Sequence, residues 1–288
     1  LIYIPTIGIM VNTGKKKAIE LGNRFLEFLQ DRSLPYLVEP GSAGCYKGVN
    51  RAGSFEEVQE KVDYLFIFGG DGTLLRAAGK FCGTGIPLLG INVGSLGFMT
   101  VIEADFLYEA AEELLAGNFT ITSRMMIASS VYRDGEKIYC SHGLNDAVIS
   151  RGDNQNLLRL NFYIDEEFIA EYQGDGMIAA TPTGSTAYSL SAGGPIINPG
   201  LDVMLLTPIC PHNLYIRPMV IRSDEQVRIK PRTKSGGMRI STDGRSTCSL
   251  SNNDEIIVER SDNEVKMIHF PDRNFYRILR DKMKLGKF

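Results

Sequence analysis

A continuous apolar run, Tyr64-Leu65-Phe66-Ile67-Phe68, breaks off directly into Gly69-Gly70-Asp71-Gly72-Thr73. An apolar run without alternation implies a strand buried on both faces, and such strands belong to parallel sheets covered by helices. The surrounding sequence agrees. Residues 6–12 (TIGIMVN), Tyr36–Val38 and residues 87–91 (PLLGI) read as further strands. Between them, Lys16–Asp31 sets Ile19, Phe25, Leu26 and Leu29 near helical spacing, and Ser54 with Glu57 forms a capping box for a short helix. Residues 74–80 and 104–115 predict two more helices, the second ended by Gly117. Strands alternating with helices predict an α/β domain with a Rossmann-like parallel sheet.

From about Ile121 helical periodicity fades and alternation takes over. Residues 126–132, Leu158–Ile164, 167–172, 227–230, Arg239–Thr242 and 255–259 read as strands. Asp134-Gly135, Asp165-Glu166, Gly236-Gly237 and Asn252-Asn253-Asp254 separate them as turns. An all-β, sandwich-like second domain is expected. Residues 275–284 are amphipathic with a basic face and predict a C-terminal helix that packs back on the first domain. The expected partition is residues 1–122, with 271–288 returning, and residues 123–270.

Charge narrows the function. Against 31 basic residues stand 34 acidic ones, a net charge of −3, which gives no electrostatic case for a nucleic-acid partner. Residues 81–102 and 177–201 are uncharged and long enough to span a bilayer, but Gly and Pro interrupt both, so no membrane association is expected. No basic region precedes an apolar run at the start of the chain, so no signal peptide is read and a cytoplasmic location is expected. Cys45, Cys82, Cys140, Cys210 and Cys248 are odd in number and widely spaced; reduced, mostly buried thiols are expected, with neither disulfides nor a zinc knuckle. No P-loop, G-x-G-x-x-G, nucleophile elbow or zinc-spaced histidine pair occurs.

Four features carry the chemistry. Glycines 69, 70 and 72 let a backbone approach phosphate oxygens where a strand ends and a helix begins. A carboxylate there repels phosphate, so Asp71 has either a proton or a metal to handle, or it caps the helix. Asn92-Val93-Gly94-Ser95-Leu96-Gly97-Phe98 is a glycine loop whose Phe98 is a base-stacking or a core residue. Gly174-Asp175-Gly176-Met177 leads into Thr181-Pro182-Thr183-Gly184-Ser185-Thr186-Ala187-Tyr188-Ser189-Leu190-Ser191-Ala192-Gly193-Gly194, a frame of small hydroxyl donors suited to a flat, polar ligand. Asn145-Asp146 could grip a ribose diol, although a turn is the favoured local reading.

Together these motifs, with Thr207 to Pro218 (TPICPHNLYIRP) and Ser241-Thr242-Asp243-Gly244, resemble the NAD kinase family over most of the chain. The Gly69-Gly70-Asp71-Gly72 signature alone is shared with sphingoid and diacylglycerol kinases and phosphofructokinases; the Thr181–Pro195 run is specific. The resemblance implies an α/β domain followed by a β-sandwich-like domain, with phosphoryl transfer from ATP, another triphosphate or polyphosphate to the adenosine 2′-hydroxyl of NAD. It implies Asp71 as catalytic base, with Gly69, Gly70, Gly72 and Thr73 at the phosphates. Asn145, Asp146, Asp175, Thr183, Thr186, Ala187, Tyr188, Ser189, Leu190 and Ser191 would bind the dinucleotide, with Phe98 and Tyr188 near the adenine or ribose. Mg²⁺ or another divalent cation would be bound mainly through the triphosphate, without a metal site of the protein's own. A homodimer or homotetramer is implied, with parts of a site supplied by a neighbour. Three positions depart from the family's usual residues: Asp146 stands where Glu is common, Gln173 where Arg or Lys is common, and Arg245 where Gln is frequent. A lipid kinase and a catalytically silent NAD(P) sensor are the rival readings.

Overall fold

The computed structural model describes residues 3–94, 97–152, 156–234, 237–271 and 274–283. Ser95 and Leu96 of the glycine loop, Gly236 of one expected turn and Lys284 of the expected C-terminal helix lie outside the described residues. The chain divides into two compact units, Leu1–Ser123 with Val265–Phe288, and Arg124–Glu264.

The first unit opens with β1 (Ile7–Val11), α1 (Lys16–Asp31), β2 (Tyr36–Val38), α2 (Pro40–Ala43), α3 (Phe55–Lys61) and β3 (Tyr64–Gly69). It continues with α4 (Asp71–Phe81), β4 (Leu88–Asn92), β5 (Ile102–Glu103) and α5 (Leu107–Leu115). The strands pair in parallel in the order β2-β1-β3-β4, with β5 on β4. Every residue of β1 and β4 is buried, as uninterrupted apolar runs require. Helix α1 buries Ala18, Gly22, Phe25, Leu26 and Leu29, one stripe at helical spacing. Phe25 stacks on Phe66 of β3 at 4.8 Å between ring centroids, which fixes the helix on the sheet. The capping box forms with a shift: Ser54 Oγ accepts from Glu57 N, whereas the Glu57 carboxylate reaches back to Gly53 N.

The second unit holds β6 (Thr120–Arg133), β7 (Glu136–Gly143), β8 (Asp146–Ser150), β9 (Leu158–Ile164), β10 (Glu167–Gly174) and β11 (Gly176–Ala180). The short α6 (Tyr188–Ser191) follows, then β12 (Val203–Ile209), β13 (Met219–Arg222), β14 (Val227–Arg232), β15 (Arg239–Thr242), β16 (Ser246–Ser249) and β17 (Glu255–His269). The two unit boundaries fall within β6 and β17. One antiparallel set runs β10-β9-β14-β17, and β6 pairs with β7. A six-stranded antiparallel sheet runs β13-β12-β11-β8-β15-β16. Their facing side chains, among them Leu160, Phe162, Ala147, Ile149, Ala179 and Ile229, form one buried core. The outer face of the six-stranded sheet (Val148, Ile178, Ala180, Leu205) is covered by Ala192 and Ile197, so β8 and β11 lie between two apolar layers.

Helix α7 (Phe275–Met283) returns to the first unit, where Ile278 joins the core of that unit with Ile268 of β17. Met267 of β17 pairs in parallel with Leu88 of β4. An α/β parallel sheet, an antiparallel β unit and a returning C-terminal helix are thus the architecture expected from the sequence. The cysteines require a correction. All five are free, yet none is buried: Cys140 and Cys210 are exposed, and Cys45, Cys82 and Cys248 are half-buried. Cys82 follows α4, Cys210 follows β12 and Cys248 lies on the edge strand β16, while Cys45 and Cys248 pack half-buried on the cores of their units.

Candidate functional site

In the α/β unit, β3 runs into the glycine turn and Gly70 occupies the N-cap of α4. Asp71 is therefore the first helical residue and not the cap. Its carboxylate turns toward the segment after β4. Oδ1 accepts from Thr100 N (3.0 Å), Thr100 Oγ1 (2.9 Å) and Met99 N (3.3 Å), whereas Oδ2 accepts, among the described residues, only from Phe98 N (2.8 Å). Oδ1 is saturated and Oδ2 keeps acceptor capacity, since each carboxylate oxygen offers about two lone-pair sites. Gly97 is buried against this carboxylate, and a Cβ there would fall 1.8 Å from Oδ1. Around Gly72 nothing lies within 4 Å of where a Cβ would stand. Thr73 is buried, and its Oγ1 accepts from Asn12 Nδ2 at 2.9 Å. Phe98 packs half-buried on the core of the unit, with Lys282 Nζ 5.5 Å from its ring centroid.

In the β unit, Asn145 and Asp146 are buried at the start of β8. Asp243 and Gly244 form the left-handed turn between β15 and β16, at φ +50° and +66°. That turn aims the Asp243 carboxylate at three backbone amides, those of Leu144 (2.9 Å), Asn145 (2.8 Å) and Asp146 (3.1 Å). The backbone is thus pinned while the side chains stay uncommitted. Asn145 Oδ1 is buried without a partner, and the Asp146 carboxylate accepts no hydrogen bond among the described residues. Buried polar atoms normally have partners, so the orphaned Asn145 Oδ1 beside a carboxylate marks a place shaped for ligand donors. Burial first, and the Asp243 charge second, push the Asp146 carboxyl up to about 7.

The hydroxyl-rich run divides into two jobs. Thr181 Oγ1 donates to Leu144 O and accepts from Gly184 N, and Thr181 N donates to Asn145 O, so the run is tied to the Asn145 backbone. Gly184 passes so close that a Cβ would lie 2.0 Å from Asn145 O. Ser185 bonds Pro182 O and Ile197, and buried Ser189 bonds Thr207 Oγ1 at 2.7 Å. Those two serines hold the loop together. Thr183, Thr186, Ala187 and Leu190 are half-buried, and Tyr188 and Ser191 are exposed. Gln173 is exposed on β10, Asp175 pairs with Arg151 Nε at 2.9 Å, and Arg245 Nη2 lies 3.5 Å from Asp243 Oδ2.

The Asp146 shift gives a stability prediction with a definite sign. An acid whose folded-state pKa is raised loses stability for the fold as pH climbs from its ordinary value to about 7. Asp146→Asn removes this dependence. From pH 5 to pH 8 the variant should gain on the parent by on the order of 3 kcal/mol at most, at about 1.4 kcal/mol per pH unit over the roughly two units up to about 7. Urea unfolding of both proteins across that range checks it; a parent–variant difference that stays constant with pH contradicts it.

The family description "ATP-NAD kinase N-terminal domain" matches residues 7–119, and "ATP-NAD kinase C-terminal domain" matches residues 144–270. The NAD kinase of Moorella thermoacetica is 40% identical over 280 residues, covering 97% of this chain and 89% of the relative. The chain belongs to the NAD kinase family. It is accordingly a phosphotransferase. The NAD kinase of Heliobacterium modesticaldum is 36% identical over 284 residues, covering 99% of this chain and all of that one. Among solved structures, yeast NADH kinase complexed with NADH superposes with a TM-score of 0.89 at 26% identity, covering 99% of this chain and 89% of that chain.

Within this NAD kinase frame, three shaping residues escaped the sequence reading of the site. Thr100 holds Asp71 with both its amide and its hydroxyl, Asn12 ties Thr73, and Asp243 pins residues 144–146. Only Asp243 had a local signal, the Asp-Gly turn pair within its motif. Among the described residues, no group of three or more His, Cys, Asp or Glu could hold a metal ion, and no helix is long and apolar enough to cross a membrane.

Proposed function

We propose that this chain transfers the terminal phosphoryl group of ATP, or of another triphosphate or polyphosphate, to the adenosine 2′-hydroxyl of NAD, giving NADP. What supports the reading most is the Asp71 carboxylate, with Oδ1 locked by three donors and Oδ2 left able to accept. The 2′-hydroxyl proton passes to Oδ2 as the 2′-oxygen attacks the terminal phosphorus. The bond from that phosphorus to the bridging oxygen breaks, and the diphosphate leaves. The carboxylate is held in place before the substrate arrives, which is the main thing such a transfer needs from the protein.

Gly69, Gly70, Gly72 and Thr73 line the donor's phosphates. Asn145 and Asp146 grip a ribose diol, the unpartnered Asn145 Oδ1 and the Asp146 carboxylate accepting its hydroxyls. Hydroxyl donors would favour ionised Asp146, so NAD should bind more tightly as pH rises through about 7. Gln173, Asp175, Thr183, Thr186, Ala187, Tyr188, Leu190, Ser191 and Arg245 line the dinucleotide, and Phe98 offers a ring edge near the adenine or ribose. Ser189 acts through Thr207 as a positioning residue. Mg²⁺ would arrive on the triphosphate and keep several of its waters. When bound, that ion supplies charge neutralisation at the phosphate oxygens. A cytoplasmic homodimer or homotetramer completes the proposal; Leu214 and Tyr215, 80% and 92% exposed, are apolar surface a neighbour would cover.

The test is NADP⁺ formation from NAD⁺, ATP and Mg²⁺, read by coupling to an NADP-specific dehydrogenase. Steady product formation is expected. Measurable NAD binding with no product from any triphosphate or polyphosphate would sink the proposal.

A further inference from the structure

Two loops meet at the C-terminal edge of the parallel sheet in the α/β unit. One is the glycine turn after β3, and the other is residues 12–15, between β1 and α1. Strands β1 and β3 are parallel neighbours, with Val11 opposite Phe68. In the order β2-β1-β3-β4 the chain leaves β1 toward one edge of the sheet and leaves β3 toward the other. That divergence is the topological switch point, outside whose strand ends open α/β sheets bind ligands.

The two loops are fastened to each other through Asn12. Its amide donates to Phe68 O (2.9 Å) and its Nδ2 to Thr73 Oγ1 (2.9 Å). Its carbonyl accepts from Lys15 N (3.1 Å) and its Oδ1 from Gly14 N (3.1 Å). Lys15 is thereby set over Gly70: its Nζ stands 3.9 Å from where a Gly70 Cβ would be. The side chain is exposed, and its ammonium makes neither a hydrogen bond nor an ion pair among the described residues. The next residue differs, since Lys16 Nζ lies 3.7 Å from Glu20. The turn's own carboxylate, Asp71, is committed to residues 98–100. A cation with no counter-ion among the described residues, held against bare glycine backbone at a switch point, suits a chain of phosphates.

We propose that Lys15 contacts the phosphate chain of the donor over the glycine turn and neutralises the charge that builds on the bridging oxygen as the phosphoryl group leaves. This rests on the phosphoryl-transfer reading above. Lysine serves in such sites as a compact point charge, which arginine reproduces in part.

The experiment compares Lys15→Met, Lys15→Arg and Lys16→Met with the parent. It measures kcat/KM for Mg·ATP at saturating NAD, KM for NAD, and calorimetric affinity for ATP. Lys15→Met should lower kcat/KM for ATP about 100-fold and ATP affinity about tenfold, with KM for NAD moved less than about twofold. Lys15→Arg should recover most of the loss, and Lys16→Met should stay within about twofold of the parent. Lys15→Met at parental kcat/KM, or an equal loss in Lys16→Met, overturns the assignment. If the parent forms no NADP, the transfer reading fails, and the ATP titration then decides Lys15 by itself. A tenfold weaker Lys15→Met supports the contact; equal affinity, or a parent that binds no ATP, overturns it.

Discussion

Asp71→Asn is expected to lose about 10³-fold or more in kcat for NADP formation while NAD affinity stays within about fivefold. The carboxamide cannot take the 2′-hydroxyl proton at neutral pH. It also disturbs the loop. Its one acceptor oxygen must face the three donors now on Oδ1, which leaves Nδ2 opposed to Phe98 N, donor against donor. Leaving that amide unsatisfied costs about 1–3 kcal/mol, so a lower melting temperature should accompany the lost turnover. Thr100→Val separates the two effects. It removes one hydroxyl donor from Oδ1 and leaves Oδ2 untouched, so kcat should fall no more than about tenfold. Equal losses in both variants would make Asp71 a loop anchor and not a base.

Gly97→Ala should also be damaging, although it leaves the chemistry of the Asp71 carboxylate unchanged. The added methyl would stand 1.8 Å from Asp71 Oδ1, 2.4 Å from Cγ and 2.6 Å from Oδ2, overlapping the whole carboxylate. Asp71 is short and starts a helix, so the carboxylate must rotate away and give up its four hydrogen bonds. A fall in kcat of about 100-fold is expected, with KM for NAD within about threefold. Gly94→Ala is the control, since among the described residues nothing lies within 4 Å of a Cβ there, and it should keep near-parental activity. Gly97→Ala with parental kcat would show that the placement of the carboxylate does not limit the reaction.

Asp71 was legible because the residues that announce it are local: an apolar run buried on both faces, then glycines, then a helix. The donors that hold it lie 27 to 29 residues onward, and no periodicity connects Asp71 to Thr100. Strands β8 and β11 went unread for a different reason. A sheet with one solvated face writes an alternating pattern, but β11 is buried at every position and β8 at all but its last. Ala192 and Ile197, from the glycine-rich run, cover what would otherwise be the solvated face. Asn145-Asp146 looked like a turn because its stabilising partner, Asp243, is 97 residues away from Asp146. Strand β17 was read only over residues 255–259, since the polar Ser261-Asp262-Asn263 suggests a stop, yet the strand runs on to His269. Phe98 admits two readings locally, and its half-buried packing on the core of the α/β unit leaves both in place.

The most direct measurement is the position of the new phosphate. NAD⁺ and ATP are incubated with the enzyme, and the dinucleotide product is examined by ³¹P NMR. A single phosphomonoester on the adenosine 2′-oxygen is the predicted result. A phosphate on the 3′-oxygen or on the other ribose, or ATP consumed with NAD unmodified, would contradict the assignment of Asp71 as the base toward the 2′-hydroxyl.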